Sequence, residues 1–529
     1  MSMLKFLKLS ALILGVLYMT TTAQRGFPLS SVPQRLLDFE YAVRGRVVQE
    51  ALALQSQLDA QNDDVSKRHD ASSTEALPFD SLVWCNIGNP QALGQPPISF
   101  FRDVLALLES PSLISRVPEN TFAPDVVERA TTLLAKTKGT GPYTHSKGMP
   151  YVRARVAEFI TRRDNGVKAD PEAIFLTNGA SPAIQATLAH LVATEADGIL
   201  VPIPQYPLYS GAVVSLGGTL VGYHLDESLG WGLDLDEMEQ AVADAAERGV
   251  VTRALVVINP GNPTGQVLSE TEMRQLIQFA YKHKIVLLAD EVYQVNVYDP
   301  EEKPWASFKY ALSTMPEEIA SSVELFSFHS ISKGVMGECG HRGGYMELVN
   351  IAPDVVDQMY KYRSISLCSN TVGQYLIELM TNPPLPGEPS YPQYLEETQG
   401  TFDSLKRRAV KLTTALNELP GITVRVSPGA LYAFPRVALS EAAIKAAADK
   451  DMSADLFYSL ELLKSTGIVI VPGAGFKMAH ETGAPFHFRT TFLPSEDDID
   501  AVVDRFSSFH KDFVQKYGLP SSTSQHEDL

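Results

Sequence analysis

The sequence predicts an α/β fold: a mostly parallel sheet covered by helices, followed by a smaller α+β unit. Three observations lead there. From Leu82 onward, short apolar runs bounded by Gly and Pro alternate with longer amphipathic stretches, the pattern of strands and covering helices. Polar and Gly-rich motifs fall where the runs end, which is where open α/β sheets bind ligands. After about Pro383 the alternation gives way to one long helical stretch and several short strands.

Taken in order, residues 33–58 carry apolar positions at helical spacing and read as a helix. Residues 59–76 are polar and charged and read as a flexible loop. Strands are expected at 173–177, 198–202, 254–258, 285–289 and 324–328, with helices such as 181–193 and 270–282 between them. In the second unit, 394–419 reads as a long helix. Residues 422–426 and 431–434 read as strands about a turn at Ser427-Pro428-Gly429. Residues 438–451 form an Ala-rich surface helix, and 468–471 and 486–491 are further short strands. No internal repeat is visible.

A chain of 529 residues is too long for one small core. With 45% hydrophobic and 20% charged residues it has an ordinary globular composition. The net charge of −18 repels phosphate backbones and argues against a nucleic-acid partner, while leaving room for a local basic pocket. The three cysteines, Cys85, Cys339 and Cys368, are far apart, form no closed disulfide framework and show no metal spacing.

The chain ends look like addresses. Lys5 and Lys8 precede an apolar run over 9–19, then small residues, the order of a secretory-type signal. That run is shorter than the ~20 residues a stable membrane span needs. The absence of acids before Asp38 also suits a mitochondrial presequence, so both routes stay open. The final His526-Glu527-Asp528-Leu529 is similar to an endoplasmic-reticulum retention signal and equally to a plain acidic tail.

Six segments carry chemistry. Ser327-Phe328-His329-Ser330-Ile331-Ser332-Lys333-Gly334 delivers a lysine from a buried strand into a Ser/Gly setting, with Arg342 nine residues on. A lysine amine can bond a cofactor aldehyde where its surroundings favour the neutral form. Asn259-Pro260-Gly261-Asn262-Pro263-Thr264-Gly265 is a stiff loop after a strand; alone it is as readily a structural turn. Leu287-Leu288-Ala289-Asp290-Glu291-Val292-Tyr293 places an acid at a buried strand end, which is costly unless paired; a protonated ring nitrogen is a suitable partner. Thr177-Asn178-Gly179-Ala180-Ser181-Pro182 opens a helix whose first N–H groups can face an anion, or simply be capped by Ser181. Pro204-Gln205-Tyr206-Pro207-Leu208-Tyr209 offers a tyrosine that either stacks on a heterocycle or fills core. Phe486-His487-Phe488-Arg489-Thr490-Thr491 sets one arginine among apolar neighbours, for a carboxylate grip or a structural ion pair.

Together these segments resemble the fold-type I aminotransferases of the class I/II group. Further phrases resemble the alanine aminotransferases within it, among them Glu40-Tyr41-Ala42-Val43-Arg44-Gly45 and Asn86-Ile87-Gly88-Asn89-Pro90-Gln91-Ala92-Leu93-Gly94-Gln95. The resemblance runs from about residue 36 to about 515. It implies a seven-stranded, mostly parallel sheet in a large domain (121–370) and a smaller α+β domain built from both chain ends (32–120 with 371–515). A targeting segment (1–31) and a tail (516–529) flank them. It implies pyridoxal 5'-phosphate as cofactor and no metal. Lys333 is then the Schiff-base lysine and proton shuttle, Asp290 pairs with the pyridine nitrogen, and Asn262 and Tyr293 hold the phenolic oxygen. Tyr206 stacks on the ring. Ala180, Ser181, Ser330 and Arg342 hold the phosphate, with Tyr143 reaching the phosphate of a neighbouring subunit in a homodimer. Arg489 binds the substrate α-carboxylate, with Gly88 and Asn262 lining that site.

The implied reaction is ping-pong amino transfer between L-alanine and 2-oxoglutarate, giving pyruvate and L-glutamate. Another acceptor such as glyoxylate, or a lyase reaction on the same cofactor, are the competing expectations. Three departures from the common form stand out: the longer loop at 59–76, the added N-terminal segment, and Asn89-Pro90 in place of an acidic-Ala pair. Only the last lies near the substrate.

Overall fold

The apolar runs become strands because each can bury both faces under helices. The structure is a computed structural model that describes residues 27–37, 41, 44–64, 77–478 and 485–520. Most of the expected targeting segment (1–26), most of the expected 59–76 loop and the last residues therefore lie outside the described part. The chain divides after Phe39. The preceding unit shows a short turn of 3-10 helix at Leu29–Ser31 and a one-turn helix at Gln34–Leu37. Everything below concerns the unit from Glu40 onward.

The large sheet is labelled in chain order: β1 Ile174–Thr177, β2 Asp197–Ile203, β3 Thr219–Asp226, β4 Gly232–Leu233, β5 Val251–Ile258, β6 Val286–Asp290, β7 Leu325–Ser330 and β8 Gly344–Val349. Its spatial order is β1-β8-β7-β6-β5-β2-β3-β4. The pairs β7–β6, β6–β5, β5–β2 and β2–β3 are parallel, and β8 runs antiparallel to both neighbours. The sheet thus has eight strands where seven were expected. The additional one, β4, is a two-residue edge strand pairing with Leu225 and Asp226, too short to leave an alternation pattern.

Side-chain alternation decides what faces what. Leu255, Val257, Leu287 and Ala289 enter one core; Ala254, Val256, Ile258 and Leu288 enter the other, on the opposite face. Each of the Leu, Val and Ile side chains contributes roughly 1.5–3 kcal/mol by leaving water, and each alanine methyl roughly 0.8 kcal/mol. The register places the ends of β5, β6 and β7 side by side, with Ile258 opposite Asp290 and Asp290 opposite Phe328. The motif loops after these three strands therefore open at one edge.

The smaller α+β part of this same body, called the second unit below, is a five-stranded sheet in which Phe486–Thr491 pairs antiparallel with Tyr432–Ala433, Arg436–Val437 and Val471–Pro472. Helices Tyr391–Asn417 and Glu496–Tyr517 cover it through Leu405, Leu412, Phe506 and Phe513. Val83–Trp84 pairs in parallel with Ile468–Val469, so both ends of the chain contribute. The helix expected at 33–58 is instead Arg46–Asp64. Gly45 is a poor interior residue, and after Leu58 no Gly or Pro stops the helix; Gln55 Nε2 donates to Asp59 Oδ1 one turn on, at 2.9 Å. The Ala-rich helix is Glu441–Ala448, with Ala443 and Ala447 buried one turn apart. Among the described residues no helix is long and apolar enough to cross a membrane.

Candidate active site

The loops after β1, β2, β5, β6 and β7 converge on one cavity of about 210 Å³. Gly88, Ala180, Ser181, Tyr206, Asn262, Asp290, Tyr293, Ser330, Lys333 and Arg342 all line it. These come from segments up to 254 residues apart in sequence, and the strand register is what brings them together.

One end of the cavity is built for an anion. Gly179 has φ +83°, and helix Ala180–Leu191 begins directly after it, leaving N–H groups without helical acceptors. Arg342 packs over this turn, donating from Nη2 to Asn178 O at 3.1 Å and from Nη1 to Cys339 O at 2.9 Å. A Cβ on Gly179 would lie 2.4 Å from Arg342 Nη2, so glycine is required both for the φ and for the guanidinium. Ser330 Oγ accepts from Ser332 N at 3.3 Å at the same end.

The other end is built for a cation. Asp290 is buried, and its donors are neutral: the Tyr209 hydroxyl to Oδ2 at 3.1 Å and the Val292 N–H to Oδ1 at 3.3 Å. Burial pushes its carboxyl up to about 6, against the pull of those two hydrogen bonds. A buried carboxylate with only neutral donors favours a positively charged partner.

Lys333 lies between the two ends, its Nζ donating to Gly88 O. Tyr206 precedes helix Pro207–Leu216; burial holds its hydroxyl well above the ordinary range, reinforced by Tyr41 and Tyr432. Tyr293 is buried, its hydroxyl 3.3 Å from that of Tyr432.

Arg489 adjoins the cavity from the second unit and is 1% exposed. Its Nη1 donates to Asn262 Oδ1 at 2.9 Å and its Nη2 to Asn86 O. No carboxylate is among these acceptors. Asn262 thus spends its amide oxygen on the arginine, leaving its NH₂ end to donate. Tyr143 lies outside the cavity lining, 80% exposed in the single chain.

Sequence reasoning gave no role to three residues here. Tyr209 sits three positions beyond Tyr206, the spacing that brings two side chains onto one side of a helix start. Tyr432 lies in the strand after the Ser427-Pro428-Gly429 turn, where only a strand was expected. Asn86 contributes a backbone carbonyl, which has no signature in residue type. A larger, more open cavity of about 670 Å³ shares Arg342 and Asn178 with the anion end. It holds neither Lys333 nor Asp290, so the chemistry belongs to the smaller one.

A lysine amine, an anion cradle and a buried acid among neutral donors thus share one cavity, with a buried arginine beside it. The pattern of the class I and II aminotransferases matches residues 116–506, and the chain belongs to that family. It is 45% identical over 498 residues to a probable mitochondrial alanine aminotransferase of Dictyostelium discoideum, covering 94% of this chain and 91% of that one. It is 46% identical to glutamate–glyoxylate aminotransferase 1 of Arabidopsis thaliana, covering 82% and 90%. The alanine aminotransferase of Pyrococcus furiosus superposes with a TM-score of 0.69 at 25% identity, covering 91% of this chain and all of the other.

Proposed function

We propose that this enzyme is an alanine aminotransferase, moving the amino group of L-alanine to 2-oxoglutarate through pyridoxal 5'-phosphate. The observation that carries the cofactor is the single cavity holding Lys333, buried Asp290 and the Gly179–Arg342 cradle. The donor set fits the group: Ala180 N–H, Ser181, Ser330 and Arg342 for the phosphate, Asp290 for the pyridine nitrogen, Asn262 and Tyr293 for the phenolic oxygen, and Tyr206 against the ring. When bound, the cofactor supplies an electron sink for the pair left at Cα and stores the amino group between half-reactions.

The chain's own residues do the rest. Arg489, buried and prearranged by Asn262 and Asn86, grips the α-carboxylate of either substrate. That grip fixes Cα near Lys333 Nζ, which takes and carries the Cα proton. Asp290 would hold the ring nitrogen of the bound group in its cationic form, and that charge would lower its carboxyl from the raised value it has among neutral donors. Tyr143, exposed in one chain and held at its loop by the Thr144 N–H to Cys368 Sγ contact (3.5 Å), reaches the phosphate of a second copy in a homodimer.

The alanine assignment rests on relatives of that name matching along nearly the whole chain. All three are named mitochondrial, which extends to this chain as a proposal for its N-terminal segment; a reporter carrying residues 1–31 should enter mitochondria, and delivery to the secretory route would overturn it. Substrate profiling tests the reaction. Alanine with 2-oxoglutarate should give the highest kcat/KM, and a preference for glyoxylate as acceptor would reassign the enzyme.

A further inference from the structure

Tyr432 touches three parts of the site and has no role in the mechanism above. Its ring face lies 4.2 Å from Arg489 Cζ, while Phe476 covers the guanidinium at 5.0 Å. Its hydroxyl meets the Tyr293 hydroxyl at 3.3 Å and lies against the Gly88 backbone. A Cβ on Gly88 would lie 2.4 Å from that hydroxyl oxygen and 3.0 Å from Lys333 Nζ, so the tyrosine and the lysine crowd the same glycine.

We propose that Tyr432 is a positioning residue whose ring holds Arg489 in carboxylate-binding orientation and whose hydroxyl ties the Gly88 loop to Tyr293. The two hydrogen bonds of Arg489 fix the guanidinium edge but not the tilt of its plane; two aromatic faces do. Arg489 Nε has no partner, so no third hydrogen bond substitutes for the stack. The groups facing the hydroxyl are Lys333, Arg489, Tyr293 and Tyr206. Burial pushes it up, but Lys333 and Arg489, with the Tyr293 and Gly88 hydrogen bonds, outweigh that and leave it below the ordinary tyrosine range. The inference rests on the reading of Arg489 as the carboxylate grip.

Tyr432→Leu and Tyr432→Phe separate the two halves. Leucine removes the stack and should raise KM for alanine and 2-oxoglutarate together by about 10–30-fold, what a desolvated cation–π contact of roughly 2 kcal/mol is worth, with kcat little changed. Phenylalanine keeps the stack and should leave both KM values within about twofold. In ultraviolet titration of cofactor-free protein it should also delete a tyrosinate signal that forms below the ordinary tyrosine range, a readout independent of turnover. Unfolding curves establish that both variants fold, and the phenylalanine titration stands even where leucine does not fold. Unchanged KM in a folded Tyr432→Leu overturns the ring's role. An early tyrosinate persisting in Tyr432→Phe overturns the hydroxyl's placement. Arg489→Gln is measured alongside: if it leaves KM unchanged, the carboxylate reading itself fails, whereas an Arg489 effect without a Tyr432 effect refutes only the present proposal.

Discussion

Asp290→Asn removes a charge that the fold buries among neutral donors. Its carboxyl is pushed from 3.8 up to about 6 by burial in the cofactor-free protein. That difference corresponds to roughly 3 kcal/mol at 1.36 kcal/mol per pH unit. An acid whose folded value exceeds its unfolded one favours the fold below the unfolded value, and this contribution is lost as pH rises through about 6. At pH 8 the cofactor-free wild type therefore carries the full cost, and at pH 4 little of it. Asparagine keeps an acceptor for the Tyr209 hydroxyl but gives up the Val292 hydrogen bond, long at 3.3 Å and worth about 1 kcal/mol. Cofactor-free Asp290→Asn should thus be about 1–2 kcal/mol more stable than wild type at pH 8 and no more stable at pH 4. For a chain of this length that is about 1–2 °C in Tm, measurable by scanning fluorimetry. With pyridoxal phosphate added at pH 8 the order should reverse, because only the carboxylate gains an ionic partner, and the variant should lose most of its rate. A cofactor-free variant less stable than wild type at pH 8, or a difference independent of pH, would refute this account of Asp290.

Other outcomes follow from particular contacts. Gly179→Ala forces a Cβ against Arg342 at φ +83° and ψ 174°, a region essentially confined to glycine; relieving roughly 1–3 kcal/mol of strain moves the turn and displaces the guanidinium, so pyridoxal phosphate binding should weaken at least about tenfold, read by fluorescence titration. Unchanged affinity would remove Arg342 from the phosphate cradle. Cys85 is fully buried and its thiol is pushed up to about 12 by burial, so a thiol reagent should modify it only on unfolding; rapid labelling of Cys85 in the native protein would contradict its packing. Leu462→Ala, which empties a fully buried position in the second unit, should cost about 2–5 kcal/mol by denaturant unfolding, and a cost below about 1 kcal/mol would show that the site collapses.

The legible part of the site was the part carried by residue type at a strand end. Asp290 ends β6, and Asn262 and Lys333 follow β5 and β7; an acid or a lysine there is conspicuous because burial makes it costly. Tyr209 and Tyr432 were not legible because a buried tyrosine looks the same whether it fills core or aims a hydroxyl. Arg489 was legible as an isolated arginine, but its partner on Asn86 is a backbone carbonyl that any residue supplies. In the fold, β2 and β5 stood out as apolar runs, whereas β4 is two residues long. The displaced first helix reflects Gly45 and the lack of a stop after Leu58, where composition alone suggested a loop.

The central claim is that Lys333 holds an aldehyde cofactor which alanine discharges and 2-oxoglutarate recharges. Absorbance of the purified enzyme, wild type and Lys333→Ala, should be scanned before and after adding L-alanine and then 2-oxoglutarate. A visible band in wild type that bleaches with alanine and returns with 2-oxoglutarate, with no such cycle in the variant, is the predicted result. A complete cycle in Lys333→Ala, or a wild-type protein with no band after adding pyridoxal phosphate, would contradict the account.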